Sequence, residues 1–186
     1  MLEIGQTLSE QQQLAVEQAA IVFALELLKQ EAAQEVAQHL AGDFLSDLLF
    51  GREATDPAVD QRAARLNVNL HREHRILILD IDDFAQAIKA HHWSDMEALT
   101  IKRLLLRTVS DVMQKNAPGS LVELRGDSVL VLLPERKGLA DALALIQQTR
   151  DELRSPLPDL TISVGIGRPV SSPTDLRRSY QDAALA

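Results

Sequence analysis

The chain has no cysteine among its 186 residues. That excludes disulfide staples, thiolate metal sites and thiol nucleophiles, and it fits a reducing, cytoplasmic setting. Aromatic residues make up only 3%, so the core has to be built from Leu, Ile, Val and Ala. No apolar run reaches membrane-spanning length before charges interrupt it. The N-terminus lacks the basic stretch and apolar segment of a signal peptide. Basic residues are outnumbered, with 19 Lys and Arg against 27 Asp and Glu and a net charge of −8. A duplex-binding surface needs clustered Lys and Arg, which disfavours nucleic-acid binding by this segment itself. The rest of the composition, 46% hydrophobic and 25% charged, is ordinary for a globular protein. The length suits one well-buried domain with an appendage, or two small domains.

Glycine and proline are also missing from Leu8–Phe50 until Gly42, and the stretch is rich in Ala, Leu, Glu and Gln. All four are good helix formers. Apolar residues at Leu14, Ile21, Leu25, Leu28, Ala32, Val36, Leu40, Phe44 and Leu48 fall at spacings of three and four after one early seven. They form one continuous stripe that begins as a heptad and then drifts towards a straight helix. Unbroken, this helix would run roughly 60 Å at about 1.5 Å per residue. Two arrangements satisfy such a stripe. The helix folds back on its own domain, kinked at Gly42, or it pairs with a second copy; its length favours pairing. Ile21, Val22, Phe23, Leu25, Leu27 and Leu28 span more than one helix face, as if another surface covers them.

Gly51, Thr55, Asp56 and Pro57 supply a break over Gly51–Val59. A short helix is expected over Asp60–Asn67, with Ala63, Ala64 and Leu66 inward. Arg75–Asp80 carries the apolar run Ile76–Leu79 and ends on acids, Asp80, Asp82 and Asp83, which suits a buried strand whose carboxyl end reaches the surface. Phe84–His92 reads as a short helix, and Ser94 is placed to cap the next one, Asp95–Lys115. Leu121–Pro134 holds two mainly apolar runs around Arg125-Gly126-Asp127-Ser128, the strongest hairpin signal in the chain. Its second run, Val129–Leu133, is apolar throughout and suits a central strand covered on both faces. A helix over Gly138–Leu153, a strand within Leu160–Gly167, a loop over Pro169–Pro173 and a helix from Asp175 to Ala186 complete the order. From Arg75 it runs strand, helix, helix, strand, strand, helix, strand, an α+β sandwich expected to carry its helices on one face.

This order and its acids resemble the GGDEF domain of diguanylate cyclases. Leu77–Phe84 (LILDIDDF) is similar to that family's first metal-binding strand, Leu124–Pro134 (LRGDSVLVLLP) to its signature hairpin, and Thr161–Gly167 (TISVGIG) to its closing strand. The whole chain more specifically resembles the middle of PucR/CdaR-type bacterial transcription regulators. There a degenerate GGDEF-like domain follows a sensor and precedes a helix-turn-helix. Ala41–Gly51 (AGDFLSDLLFG), the Asp80 strand, the Asp127 hairpin and Val164–Ala183 (VGIGRPVSSPTDLRRSYQDA) carry this likeness. The resemblance implies a GGDEF/nucleotide-cyclase-like, ferredoxin-like α+β sandwich with a long N-terminal helix. Its parts would be a signalling and dimerisation helix over 1–50, a linker with a short helix over 51–74, and a GGDEF-like domain over 75–186. That last part includes the start of a linker helix to a C-terminal part absent from this chain.

By resemblance, the carboxylates that hold metal in the catalytic family fall at Asp80 and Asp127, with the Ile81 carbonyl between them. The fourth signature position, normally acidic and tied to catalysis, is Ser128. The first glycine, which lets the nucleotide approach, is Arg125, and the guanine-reading pair falls at Ile88 and Lys89. An apolar side chain cannot replace that hydrogen-bonding pattern. The expectation is therefore a chain that is not an enzyme, with no catalytic residue, no cofactor and no working metal site, Asp80 and Asp127 being vestigial candidates that cap the strand end and the turn. Asp82 and Asp83 are read as solvated or capping the next helix. Partners implied are a second copy through the N-terminal helix, and DNA only through a helix-turn-helix outside this segment. The alternative is a nucleotide- or metabolite-binding domain that keeps a Mg²⁺–phosphate site on Asp80 and Asp127. Adjacent His91 and His92 diverge on a helix and make a poor chelate. Gly165-x-Gly167 reads as strand and turn punctuation, and Arg177-Arg178 as a solvated helix face.

Overall fold

The computed structural model describes residues 9–51, 57–136 and 138–186. Leu8 and the expected turn residues Thr55 and Asp56 lie outside them. The chain divides into two units, one ending at Gln38 and one spanning His39–Ala186. Helix α1, Glu10–Phe50, belongs to both. In the first unit every described residue of the stripe from Leu14 to Val36 is exposed, Leu25 and Leu28 each at 61%.

The second unit is built on a four-stranded sheet in the order β2-β3-β1-β4, with every pairing antiparallel. The strands are β1 (His74–Ile81), β2 (Leu121–Arg125), β3 (Ser128–Pro134) and β4 (Ile162–Ile166). The helices are α2 (Pro57–Arg65), α3 (Phe84–His91), α4 (Asp95–Asn116), α5 (Leu139–Arg154) and α6 (Leu176–Leu185). β3 sits between β2 and β1, and Val129–Leu133 are all buried, as an uninterrupted apolar run requires. A capping box of Ser94 and Glu97 starts α4, each group satisfying a backbone N–H that the first turn leaves unpaired.

Strand residues alternate between two cores because successive side chains point to opposite faces. Leu77, Leu79, Ile81, Val129 and Val131 pack with Leu105, Val109, Val112, Leu145 and Ile146 of α4 and α5. Ile76, Leu130 and Leu132 pack with Phe44, Leu45, Leu48 and Leu49 of α1, Val59 and Ala63 of α2, and Leu176 and Ala183 of α6. Helices thus cover both sheet faces, where the sequence pointed to one. The end of the α1 stripe supplies part of the second layer. Gly42 lies buried within α1 rather than ending it, and a Cβ there would stand 3.3 Å from the Glu123 Cγ of β2. Close approach of helix to strand, not a break, explains that glycine.

Candidate functional site

The acids gather where β1 ends and β3 begins. Asp80 lies opposite Ser128 of β3 and Ser163 of β4 in the sheet register. The Ser128 hydroxyl donates to Asp80 Oδ1 at 2.5 Å. Asp127 sits one residue earlier, exposed in the two-residue turn that joins β2 to β3. Gly126, at the first turn position, has φ 67°, a conformation glycine takes without a Cβ penalty, while Asp127 keeps negative φ, the pattern of a type II′ hairpin. The two carboxylates that the resemblance marks as metal ligands therefore lie near the same end of the sheet, Asp80 half-buried and hydrogen-bonded in β1, Asp127 open in the turn.

Asp82 and Asp83 follow different rules. The hydroxyls of Ser163 and then Thr161 hold the Asp82 carboxyl below the usual carboxylate range. Asp83 occupies the N-cap of α3, but its side chain makes no capping bond. Its backbone has φ 49°, and its carbonyl accepts from Gln86 and Ala87. Of the two roles expected of its carboxylate, solvation holds, since Asp83 is exposed, and a left-handed backbone turn stands where a side-chain cap would be. Among the described residues no group of three or more His, Cys, Asp or Glu is arranged to hold a metal ion. Mg²⁺ is held by one or two carboxylates together with phosphate oxygens; Asp80 and Asp127 supply two, and the Ser128 hydroxyl occupies one acceptor site on Asp80 Oδ1.

Of the other positions that the resemblance sets apart from the catalytic pattern, Ile88 and Arg125 have partners within the chain. Ile88 is half-buried against the α4–α5 core, and Lys89 is exposed. The Arg125 guanidinium lies 3.8 Å from the centre of the Phe50 ring. Phe50 in turn meets Tyr180 edge to face at 5.1 Å. His91 stacks on Trp93, which packs against Phe84. His91 and His92 are exposed.

Four features escaped the sequence reading. Gly165 and Gly167 are contact points, because a Cβ on either would collide with the Ala183 or Ser179 carbonyl oxygen of α6. Ser179 accepts from the Ile76 N–H at 2.9 Å and donates to the Arg168 carbonyl at 2.7 Å, and Arg168 pairs with Asp182. Arg177 is not simply solvated: its Nε donates to the Leu49 carbonyl at 3.0 Å. Glu123, on the β2 edge, accepts from the Ser46 hydroxyl at 2.7 Å while its Oε2 is buried without a partner. Burial pushes its carboxyl up, against smaller opposing effects of Ser46 and Arg125. Small residues two apart, Gly165 in β4 and Gly167 just past its end, facing small residues four apart on α6 were the available signal for the first feature.

Comparison with known proteins places this geometry. A model of the GGDEF-like domain matches residues 50–186. The GGDEF domain of YfiN (or TpbB) from Pseudomonas aeruginosa superposes with a TM-score of 0.52 at 22% identity, over 67% of this chain and 80% of that one. The diguanylate cyclase SiaD from Pseudomonas aeruginosa, in complex with its activator SiaC, gives 0.46 at 19% identity over 95% of this chain and 74% of that one. The GGDEF domain of DgcB from Caulobacter crescentus, in complex with c-di-GMP, gives 0.45 at 19% over 72% and 82%. No curated protein matches. The matched span takes in most of the chain, and the chain belongs to the GGDEF-like domain family.

Proposed function

We propose that this chain is the central signal-transmission and dimerisation module of a PucR/CdaR-type transcription regulator, built on a GGDEF-like domain that does not cyclise nucleotides. The observation that carries it is the apolar stripe of α1. Leu14, Ile21, Leu25, Leu28, Val36 and Leu40 are each more than half exposed, while Phe44, Leu45 and Leu48 on the same helix are buried. Exposed apolar surface of this extent marks an interaction site, and a second copy of the helix offers the matching stripe. In this reading a ligand-driven change upstream alters how two α1 helices pair, and the GGDEF-like body passes the new geometry downstream. Loss of catalysis is supported by Arg125 on Phe50, Ser128 on Asp80 and Ile88 against the core. The chain lacks cysteine, so a single introduced thiol reports one contact. Leu28→Cys should cross-link to a second copy under mild oxidation, whereas Gln30→Cys, across the helix, should not. Equal cross-linking at both positions would contradict pairing along the stripe.

The second reading, a nucleotide-binding domain with a Mg²⁺–phosphate site, rests on the adjacent Asp80 and Asp127. Calorimetry with GTP and Mg²⁺ decides it. Heat lost in Asp127→Asn would support the second reading, and no heat in either protein would exclude it.

A further inference from the structure

Four side chains, of which only Arg125 belongs to the signature hairpin, meet at one corner of the second unit. They come from three elements far apart in sequence: the end of α1, the hairpin and α6. Arg125 stacks on Phe50 at 3.8 Å, and Phe50 meets Tyr180 edge to face at 5.1 Å with planes 87° apart. Arg177, one α6 turn before Tyr180, donates Nε to the Leu49 carbonyl at 3.0 Å and Nη2 to the Gly51 carbonyl at 3.5 Å. The Leu49 carbonyl is among the last of α1 and Gly51 follows its end directly; carbonyls there lie at the negative end of the helix dipole and lack a partner within the helix. A cation there satisfies both needs.

We propose that these contacts make one coupled joint, in which the seating of α6 depends on the seating of the C-terminal turn of α1 and the reverse. The physical argument is that neither helix end is complete alone. The Leu49 carbonyl in the last turn of α1 takes a donor from α6, and the Tyr180 ring finds its aromatic partner on α1. Phe50 is shared by both neighbours, so moving it disturbs Arg125 and Tyr180 together. α6 is also held on the sheet by the Ser179–Ile76 hydrogen bond, by Leu176 and Ala183 in the core, and at Gly165 and Gly167, where its backbone approaches too closely for any side chain. Such a contact fits at one helix position and fails at a displaced one. A turn or shift of α1 therefore reaches α6 as a change in how often it is seated, not as a graded drift. Coupling of this kind is reciprocal. Its biological use rests on the transmission reading above; the coupling itself does not.

The test is hydrogen exchange on the full chain, followed by mass spectrometry. Phe50→Leu keeps apolar bulk but removes both ring contacts. It should speed exchange of the α6 amides by about three- to tenfold, the scale set by one aromatic pair. Tyr180→Leu should speed exchange at the C-terminal turn of α1 by a similar factor. Arg177→Gln, which leaves the rings intact, should loosen both segments. Leu145→Ala, in the core on the opposite sheet face, serves as the comparator and should not loosen α6 selectively. Unchanged α6 exchange in Phe50→Leu, or α6 loosened equally by Leu145→Ala, would overturn the joint. The chain's oligomeric state, measured on the same samples, reports separately on the transmission reading: a monomer that still shows the reciprocal effect keeps the joint and removes the pairing.

Discussion

Single residues in this chain are fixed by contact distance and by burial of charge. Gly165 and Gly167 tolerate no Cβ beneath α6. Gly167→Ala should cost about 1–3 kcal/mol or more, the range for overpacking a closed contact, read as a lower urea midpoint; an unchanged midpoint would mean that α6 docks differently. His74 is buried, and its Nδ1 donates to the Arg72 carbonyl. Burial lowers its pKa from the usual 6.5, outweighing the opposing effect of that hydrogen bond. The unfolded chain then takes up the proton first, so the stability contributed by neutral His74 is complete above pH 6.5 and is lost as pH falls below it. His74→Gln should flatten the fall in stability through that window, and parallel curves would contradict the assignment. Glu123 works the other way. Its raised pKa means that the ionised form is the disfavoured one in the folded state, a cost present at neutral pH and absent below 4.5. Glu123→Gln should therefore be more stable at neutral pH, by under about 1 kcal/mol because the carboxylate is partly solvated. The gap should close on acidification, and a less stable variant would refute this account.

At the scale of elements, periodicity and turn chemistry were enough to find the strands and α-helices described in the second unit, although α2 begins at Pro57, inside the expected break, and the 3-10 turn Pro173–Asp175 was not foreseen. The hairpin was legible because Val129–Leu133 is apolar throughout and Gly126-Asp127 supplies the turn, and the Ser94 cap because serine precedes a helical pattern. Less legible was which layer each helix joins. Phe44 and Leu48 continue the same stripe as Leu25 and Leu28, and no local signal marks where burial begins. The structure draws that line with Gly42 and Ser46 against Glu123. The candidate site was read from its acids, yet the partners that decide their chemistry sit on distant strands: Ser128 for Asp80, Ser163 for Asp82. Spacing along the chain carries no record of such pairings. If α1 is bisected in this way, Leu45→Ala, in the closed core, should cost about 2–5 kcal/mol. Leu25→Ala, on the exposed stretch, should leave thermal stability at high dilution nearly unchanged.

For the molecule as a whole, the proposed role depends on how α1 is used. A body that binds a second copy through α1 keeps its GGDEF-like sheet as a lever, with Arg125 and Ser128 turned to internal contacts. A body that binds nucleotide would instead keep Asp80 and Asp127 free for a cation. The most direct measurement is light scattering on the purified chain at tens of micromolar, beside a Leu25→Glu, Leu28→Glu variant. The account predicts a dimer that the two charges convert to a folded monomer. A wild-type chain that is strictly monomeric at that concentration would contradict it.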